Sequence, residues 1–107
     1  IVHNLLSNAL QALALVPVGE RGLRLEARVD GDQASVAVTD SGPGIAPEAL
    51  PRLFEPFFST RPGGLGLGLS LCETLAAGMG GALDAANEPP RGARFRLRLP
   101  QPDGAAP

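Results

Sequence analysis

The sequence predicts an α+β fold arranged as two layers around one core, and three observations carry that reading. Apolar residues recur at helical spacing near the start of the chain and again after residue 66. Between and beyond those stretches lie four strand-like segments, the clearest of them alternating apolar and polar residues. At 107 residues the chain has room for one domain only. A chain of that length buries roughly two thirds of its unfolded surface, enough for a single core. Its apolar share of 44% argues against wholesale disorder.

The elements follow in order. Val2, Leu5, Leu6, Ala9, Leu10 and Leu13 keep the three-four spacing of an amphipathic helix, which Pro17 and Gly19 end. Nothing ahead of Ile1 caps that helix, so a preceding segment is expected outside this chain. Leu23, Leu25, Ala27 and Val29 alternate with Arg24, Glu26 and Arg28, the pattern of a half-buried strand. A tight turn at Gly31-Asp32, or equally at Asp30-Gly31, leads into a return strand with Ala34, Val36 and Val38 on one face. Asp40 shares their parity, so its carboxylate points toward the core or a pocket.

A Gly/Pro loop spans Asp40 to Pro47, and Pro47 to Phe54 reads as a short helix interrupted by Pro51. A second amphipathic helix is expected from Leu67 to Met79, stopped by Gly80-Gly81. Ala82 to Ala86 forms a strand and Glu88 to Gly92 a turn. Phe95, Leu97 and Leu99 then alternate with Arg94, Arg96 and Arg98. The domain is expected to end near residue 100, with residues 101–107 a frayed tail rich in Pro, Gly and Ala.

Composition narrows the function. A net charge of −2 supplies no broad basic field for gripping nucleic acid, so no nucleic-acid partner is expected. All nine cations are arginine, so any side-chain cation contacting a phosphate must be a guanidinium. The longest apolar run, Ala12 to Val16, is far too short to span a bilayer, and no membrane contact by this piece is expected. Cys72, the sole cysteine, excludes an internal disulfide and fits packing within a helix. His3 reads as an ordinary helix residue.

Four constellations could carry chemistry. Asn4 and Asn8 stand one helical turn apart with Gln11 nearby; an amide oxygen suits Mg²⁺, although such residues also sit on solvent faces. Asp40-Ser41-Gly42-Pro43-Gly44-Ile45 places an inward carboxylate before two glycines. That carboxylate can accept a hydrogen bond from an exocyclic amine, as on adenine, or can simply cap a turn. Gly63 to Leu69 alternates glycine and leucine ahead of a helix, where free amide hydrogens make an anion cradle; a hinge is the other reading. Phe54, Phe57 and Phe58 either cap the core or anchor a loop whose Arg61 reaches an anion.

Taken in order, Asn-Leu-Leu-x-Asn-Ala (4 to 9), Asp-x-Gly-x-Gly-Ile (40 to 45), Phe-Glu-Pro-Phe-Phe (54 to 58) and Gly-x-Gly-Leu-Gly-Leu-Ser (64 to 70) resemble the four nucleotide-binding boxes of sensor histidine kinases. The resemblance covers about residues 1–100. Asn-Ala-Leu-Gln-Ala (8 to 12) and Phe-Phe-Ser-Thr-Arg-Pro (57 to 62) are similar to the nitrogen-regulation and dicarboxylate-sensing members.

The resemblance implies the GHKL ATP-binding fold, a mixed sheet with helices packed on one face, here expected without its first strand. It implies ATP and Mg²⁺ as cofactors, with Asn8 as the metal ligand and Asn4 beside the phosphates. Asp40 would read the adenine amine, with Gly42, Gly44 and Ile45 shaping the pocket. Thr60 to Gly64, including Arg61, would form the lid, and Gly64, Leu65, Gly66, Leu67, Gly68 and Leu69 would line the phosphates. Asn4 and Arg61 would serve the chemistry. The implied partners are a helical dimerisation domain carrying the phosphoacceptor histidine and a response regulator. The implied setting is a cytoplasmic domain of an inner-membrane-anchored parent.

Three departures bear on this. Gln11 stands where many relatives carry Lys, the lid is short, and Ala93 stands where relatives often have Thr. Hydrolysing relatives of the gyrase and mismatch-repair kind place a Glu four residues before the metal-binding Asn, as the base that activates water. Here that position is Asn4, which favours a kinase over a hydrolase. A noncatalytic nucleotide sensor and an interaction domain built on the phenylalanines are the remaining alternatives.

Overall fold

The computed structural model describes residues 1–58 and 68–100. Helix α1 covers Val2–Leu13, strand β1 Leu23–Asp30, strand β2 Gln33–Asp40, helix α2 Gly68–Gly78, strand β3 Ala82–Asn87 and strand β4 Ala93–Pro100. Short 3₁₀ turns occupy Val18–Glu20 and Leu50–Arg52.

The four strands form one sheet in the order β1-β2-β4-β3, and every pairing is antiparallel. The expected α+β layering is present, but the expected mixed sheet is corrected for these strands. The reason lies in the connections. β1 and β2 join through two residues, because Asp30 pairs with Gln33, and β3 and β4 join across a short loop; both links permit only antiparallel neighbours. β2 and β3 do run parallel, on either side of the α2 crossover, but β4 inserts between them. The hairpin turn is centred on Gly31-Asp32, with Gly31 at φ 62°, a left-handed angle that glycine adopts without a Cβ clash.

Both helices lie on one face. α1 packs on β2, and α2 packs on β3 and β4. Leu5, Ala9, Val38, Leu53, Cys72, Ala76, Leu83, Phe95 and Leu97 make the core between the layers. Two helices cover only three strands, which corrects the reading of β1 as half-buried. All eight of its residues are exposed, Leu25 and Val29 to 54% and 67%. Leu10 is likewise exposed, because the apolar stripe of α1 is wider than its contact with the sheet.

The short helix expected at Pro47 to Phe54 shrinks to the 3₁₀ turn at Leu50–Arg52. Pro51 has no N–H to continue a helical ladder, and the segment closes through three-residue turns instead. Leu53 is buried beneath this turn, while Phe54 and Phe58 pack against the core edge. Phe57 points to solvent at 76% exposure, so the three phenylalanines do not form one interaction surface. Residues 101–107, read as a tail, and Leu67, read as the start of the second helix, lie outside the described residues. Among the described residues, no helix is long and apolar enough to cross a membrane.

Candidate functional site

Asp40 closes the inward face of β2 and is 4% exposed, as its parity required. Its Oδ1 accepts a hydrogen bond from the Gly42 N–H at 2.8 Å. Burial pushes its carboxyl above the usual aspartate range, and hydrogen bonds from the backbone of Gly42 and Ala93 partly offset that push. A carboxylate held in such a place makes a strong acceptor for an amine that arrives to pair with it.

The turn after Asp40 is pinned from three sides. Gly42 sits against α1: a Cβ there would lie 3.0 Å from the Ala12 Cβ and 2.9 Å from the Asp40 carboxylate. Ser41 Oγ accepts from the Gly22 N–H at 2.6 Å and donates to the Glu20 carbonyl at 2.7 Å. Glu20 is in turn paired with Arg91 at 2.8 Å, which ties in the loop after β3. Asn87, the last residue of β3, clamps Ile45 with both ends of its amide. Its Oδ1 accepts from the Ile45 N–H at 2.7 Å, and its Nδ2 donates to the Ile45 carbonyl at 2.8 Å. Gly44, at φ 83°, passes so close that a Cβ would stand 3.0 Å from the Asn87 Oδ1.

Helix α1 supplies the opposite wall. Asn4, Asn8 and Ala12 are spaced four residues apart and form one column along the helix. At 1.5 Å per residue, the column is about 12 Å long. Its far end meets α2, where the Asn4 Nδ2 donates to the buried Sγ of Cys72 at 3.2 Å. Its near end meets the Asp40 turn through Ala12 and Gly42. Two amides thus lie on a line between a buried carboxylate and Cys72 of α2, the helix that Gly68 and Leu69 open. The arrangement suits an elongated ligand with a hydrogen-bonding ring at one end and charge at the other.

Residues 1–103 match the family described as histidine kinase-, DNA gyrase B- and HSP90-like ATPase. The chain belongs to that family. As a member of this ATPase family it binds ATP, and its likenesses are to the sensor-kinase branch. It is 44% identical over 109 residues to the sensor protein TorS of Escherichia coli (strain K12), covering 100% of this chain and 11% of that protein. It is 42% identical over 101 residues to the C4-dicarboxylate transport sensor protein DctB of Pseudomonas aeruginosa, covering 92% of this chain and 16% of that one. The dicarboxylate-sensing flavour read from residues 8–12 and 57–62 agrees with that likeness. Among solved structures, the catalytic domain of histidine kinase ThkA superposes with a TM-score of 0.77 at 31% identity, over 91% of this chain and 61% of that one. The chain therefore spans a small part, about a tenth to a sixth, of the curated relatives it matches. It is an ATP-binding domain similar to the catalytic domains of sensor histidine kinases.

Within this ATPase fold the structure brings Asn4, Asn8, Asp40, Gly42, Gly44 and Ile45 onto two facing elements joined at Ala12 and Gly42. Gly68 and Leu69 open α2, with Leu69 packed against the core. Thr60, Arg61, Gly64, Leu65, Gly66 and Leu67, and with them the lid, lie outside the described residues. Among the described residues no cluster of three or more His, Cys, Asp or Glu could hold a metal. That absence is compatible with a cation held by an amide and by the ligand's own oxygens.

The sequence reading missed three residues. Asn87 and Arg91 lie more than 40 positions from the loops they hold, and no local signal marks them. Cys72 reads as packing alone; its Sγ also accepts a hydrogen bond from the Asn4 amide. Asn87→Leu is expected to strip both bonds from Ile45 and leave that backbone pair without its clamp. A loss of about 1–3 kcal/mol in stability, read by chemical denaturation, should accompany weaker ATP binding, read by calorimetry.

Proposed function

We propose that this domain delivers the γ-phosphoryl group of ATP to a histidine carried on a separate helical dimerisation domain, for onward transfer to a response regulator. The observation that carries the proposal is the α1 column, with its two asparagines running from Cys72 to the Asp40 turn. Asp40 accepts a hydrogen bond from the exocyclic amine of adenine. Gly42 and Gly44 let the turn press against α1 and Asn87, so the carboxylate is fixed before the ring arrives. Asn8 lies midway along the column and is the residue that would hold Mg²⁺. When bound, the cation neutralises phosphate charge. Arg61 is proposed to add a guanidinium to the same phosphates.

Asn4 supports transfer over hydrolysis. A carboxylate at that position could take a proton from water; an amide cannot. Its Nδ2 is already committed to Cys72, which fixes how the amide is turned. With an amide at that position, the domain delivers the phosphoryl group to a nucleophile that another domain presents. The parent is proposed to be anchored in the inner membrane with this domain on the cytoplasmic side.

Two experiments test this. Joined to a dimerisation helix pair, the chain is expected to form acid-labile, base-stable phosphohistidine from labelled ATP. ATP binding with no phosphohistidine would instead support a nucleotide-sensing module. In the chain alone, Asn8→Ala is expected to remove the gain in ATP affinity that Mg²⁺ gives, measured by calorimetry with Mg²⁺ and with a chelator. An unchanged Mg²⁺ effect would reject Asn8 as the ligand.

A further inference from the structure

The face of the sheet turned away from the helices carries a built feature that the nucleotide site does not use. On β2 its floor is small: Ser35, Ala37 and Thr39. On β4 its wall is Arg94, Arg96 and Arg98, which pair across the strands with Thr39, Ala37 and Ser35 in that order. On β1 the opposite wall is Arg24, Glu26 and Arg28, in register with the same three residues. Small residues in the middle and long ones on both sides make a trough, with the two walls two strand spacings, or roughly 10 Å, apart. A shallow depression lies along it, lined by Arg28, Ser35, Ala37, Arg94, Arg96 and Arg98 among others.

The charges in the trough are incompletely matched. Asp84 on β3 meets Arg96 at 3.2 Å and Arg98 at 3.4 Å, and Glu26 meets Arg24 at 3.3 Å. Arg28 and Arg94 have no carboxylate within ion-pair distance among the described residues. The face holds five arginines against Glu26, Asp30 and Asp84, a positive excess in a chain whose net charge is −2. The buried side-chain polar atoms that lack a hydrogen-bond partner among the described residues all sit here: Thr39 Oγ1 and the Nε atoms of Arg94, Arg96 and Arg98. A face left in this state has donors that a carboxylate can satisfy once the guanidinium groups turn toward it.

We propose that this trough docks an extended acidic segment of a protein. Alternate residues of β4 repeat at about 7 Å, the same spacing as alternate side chains of an extended segment laid along it. The trough is one chain wide. Glu26, Asp30 and Asp84 argue against a polyphosphate, whose charge at every residue would meet carboxylates along the way, whereas a polypeptide can place carboxylates opposite the arginines alone. The nucleotide site is built on the other side of the sheet, so occupancy of the trough leaves ATP access open.

The test uses the whole chain and a labelled twelve-residue peptide of alternating Glu and Thr. Single-stranded oligothymidylate and phosphatidylserine vesicles are the competing probes. The peptide is expected to shift the backbone NMR signals of β2 and β4, with affinity falling steeply as salt rises. Arg28→Glu/Arg94→Glu is expected to weaken it at least tenfold while ATP affinity stays within twofold. Arg28→Gln/Arg94→Gln, which removes the charge but keeps a polar side chain, serves if charge reversal unfolds the chain, and is expected to weaken binding in the same direction. Peptide affinity within twofold of the parent in a folded variant would overturn the proposal. So would tighter binding of the oligonucleotide or the vesicles than of the peptide, or shifts confined to the helical face.

Discussion

Asp40→Asn is expected to weaken ATP binding by roughly 10- to 150-fold while leaving the fold in place. A hydrogen bond to a charged group contributes about 1.5–3 kcal/mol, and each 1.4 kcal/mol is tenfold in affinity. Asparagine keeps the shape and one acceptor oxygen, but its amide nitrogen sets a donor against the donor of the adenine amine. Selectivity should fall with affinity, so ATP and GTP, compared by calorimetry, should bind the variant more nearly alike. Equal ATP and GTP affinities already in the parent would count against Asp40 as the reader of the ring.

The same substitution has a pH signature. Burial holds the Asp40 carboxyl above its ordinary value of 3.8, so the folded chain binds that proton more tightly than the unfolded chain does. The stability this contributes is fully present below 3.8 and is lost as pH rises through the raised folded value. Relative to Asp40→Asn, which has no such proton, the parent should become progressively less stable over that rise. Denaturant midpoints measured at intervals from acid to neutral pH read the difference; a flat difference would show that Asp40 titrates as it does in the unfolded chain.

Gly92→Ala carries the largest expected effect on stability. Gly92 has φ 107°, where a side chain is strained, and a Cβ at this position would collide with the backbone carbonyl of Asp40. Strain and overpacking together are expected to remove about 2–5 kcal/mol, lowering the melting temperature by about 10–30 °C. Asp40 should be displaced too, because the collision falls on its own backbone. Gly78→Ala is the control: a Cβ there meets nothing within 4 Å, and the melting temperature should hold or rise slightly. Similar melting temperatures for the two variants would remove the argument that the β3–β4 loop is fixed against Asp40.

What the sequence made legible was local. The alternation of Val36 and Val38 aimed Asp40 inward, and Gly31 marked the hairpin, because strand parity and turn chemistry are both set within a few residues. The four-residue spacing of Asn4 and Asn8 put them on one helical column for the same reason. What escaped was tertiary. Leu25 and Val29 alternate like residues of a covered strand, yet whether a helix lies over β1 depends on where α1 and α2 land. The Asn87 clamp on Ile45 joins residues 42 positions apart, beyond the reach of any periodicity. The antiparallel sheet follows from β4 inserting between β2 and β3, an order that spacing along the chain does not encode.

The most direct measurement is a crystal structure of the chain with Mg²⁺ and a nonhydrolysable ATP analogue. The expected result is an adenine amine within hydrogen-bond distance of the Asp40 carboxylate and a cation on the Asn8 amide oxygen, with the phosphates strung along α1 toward Gly68. A nucleotide bound elsewhere, or one whose ring leaves Asp40 untouched, would contradict the assignment of Asp40 and Asn8.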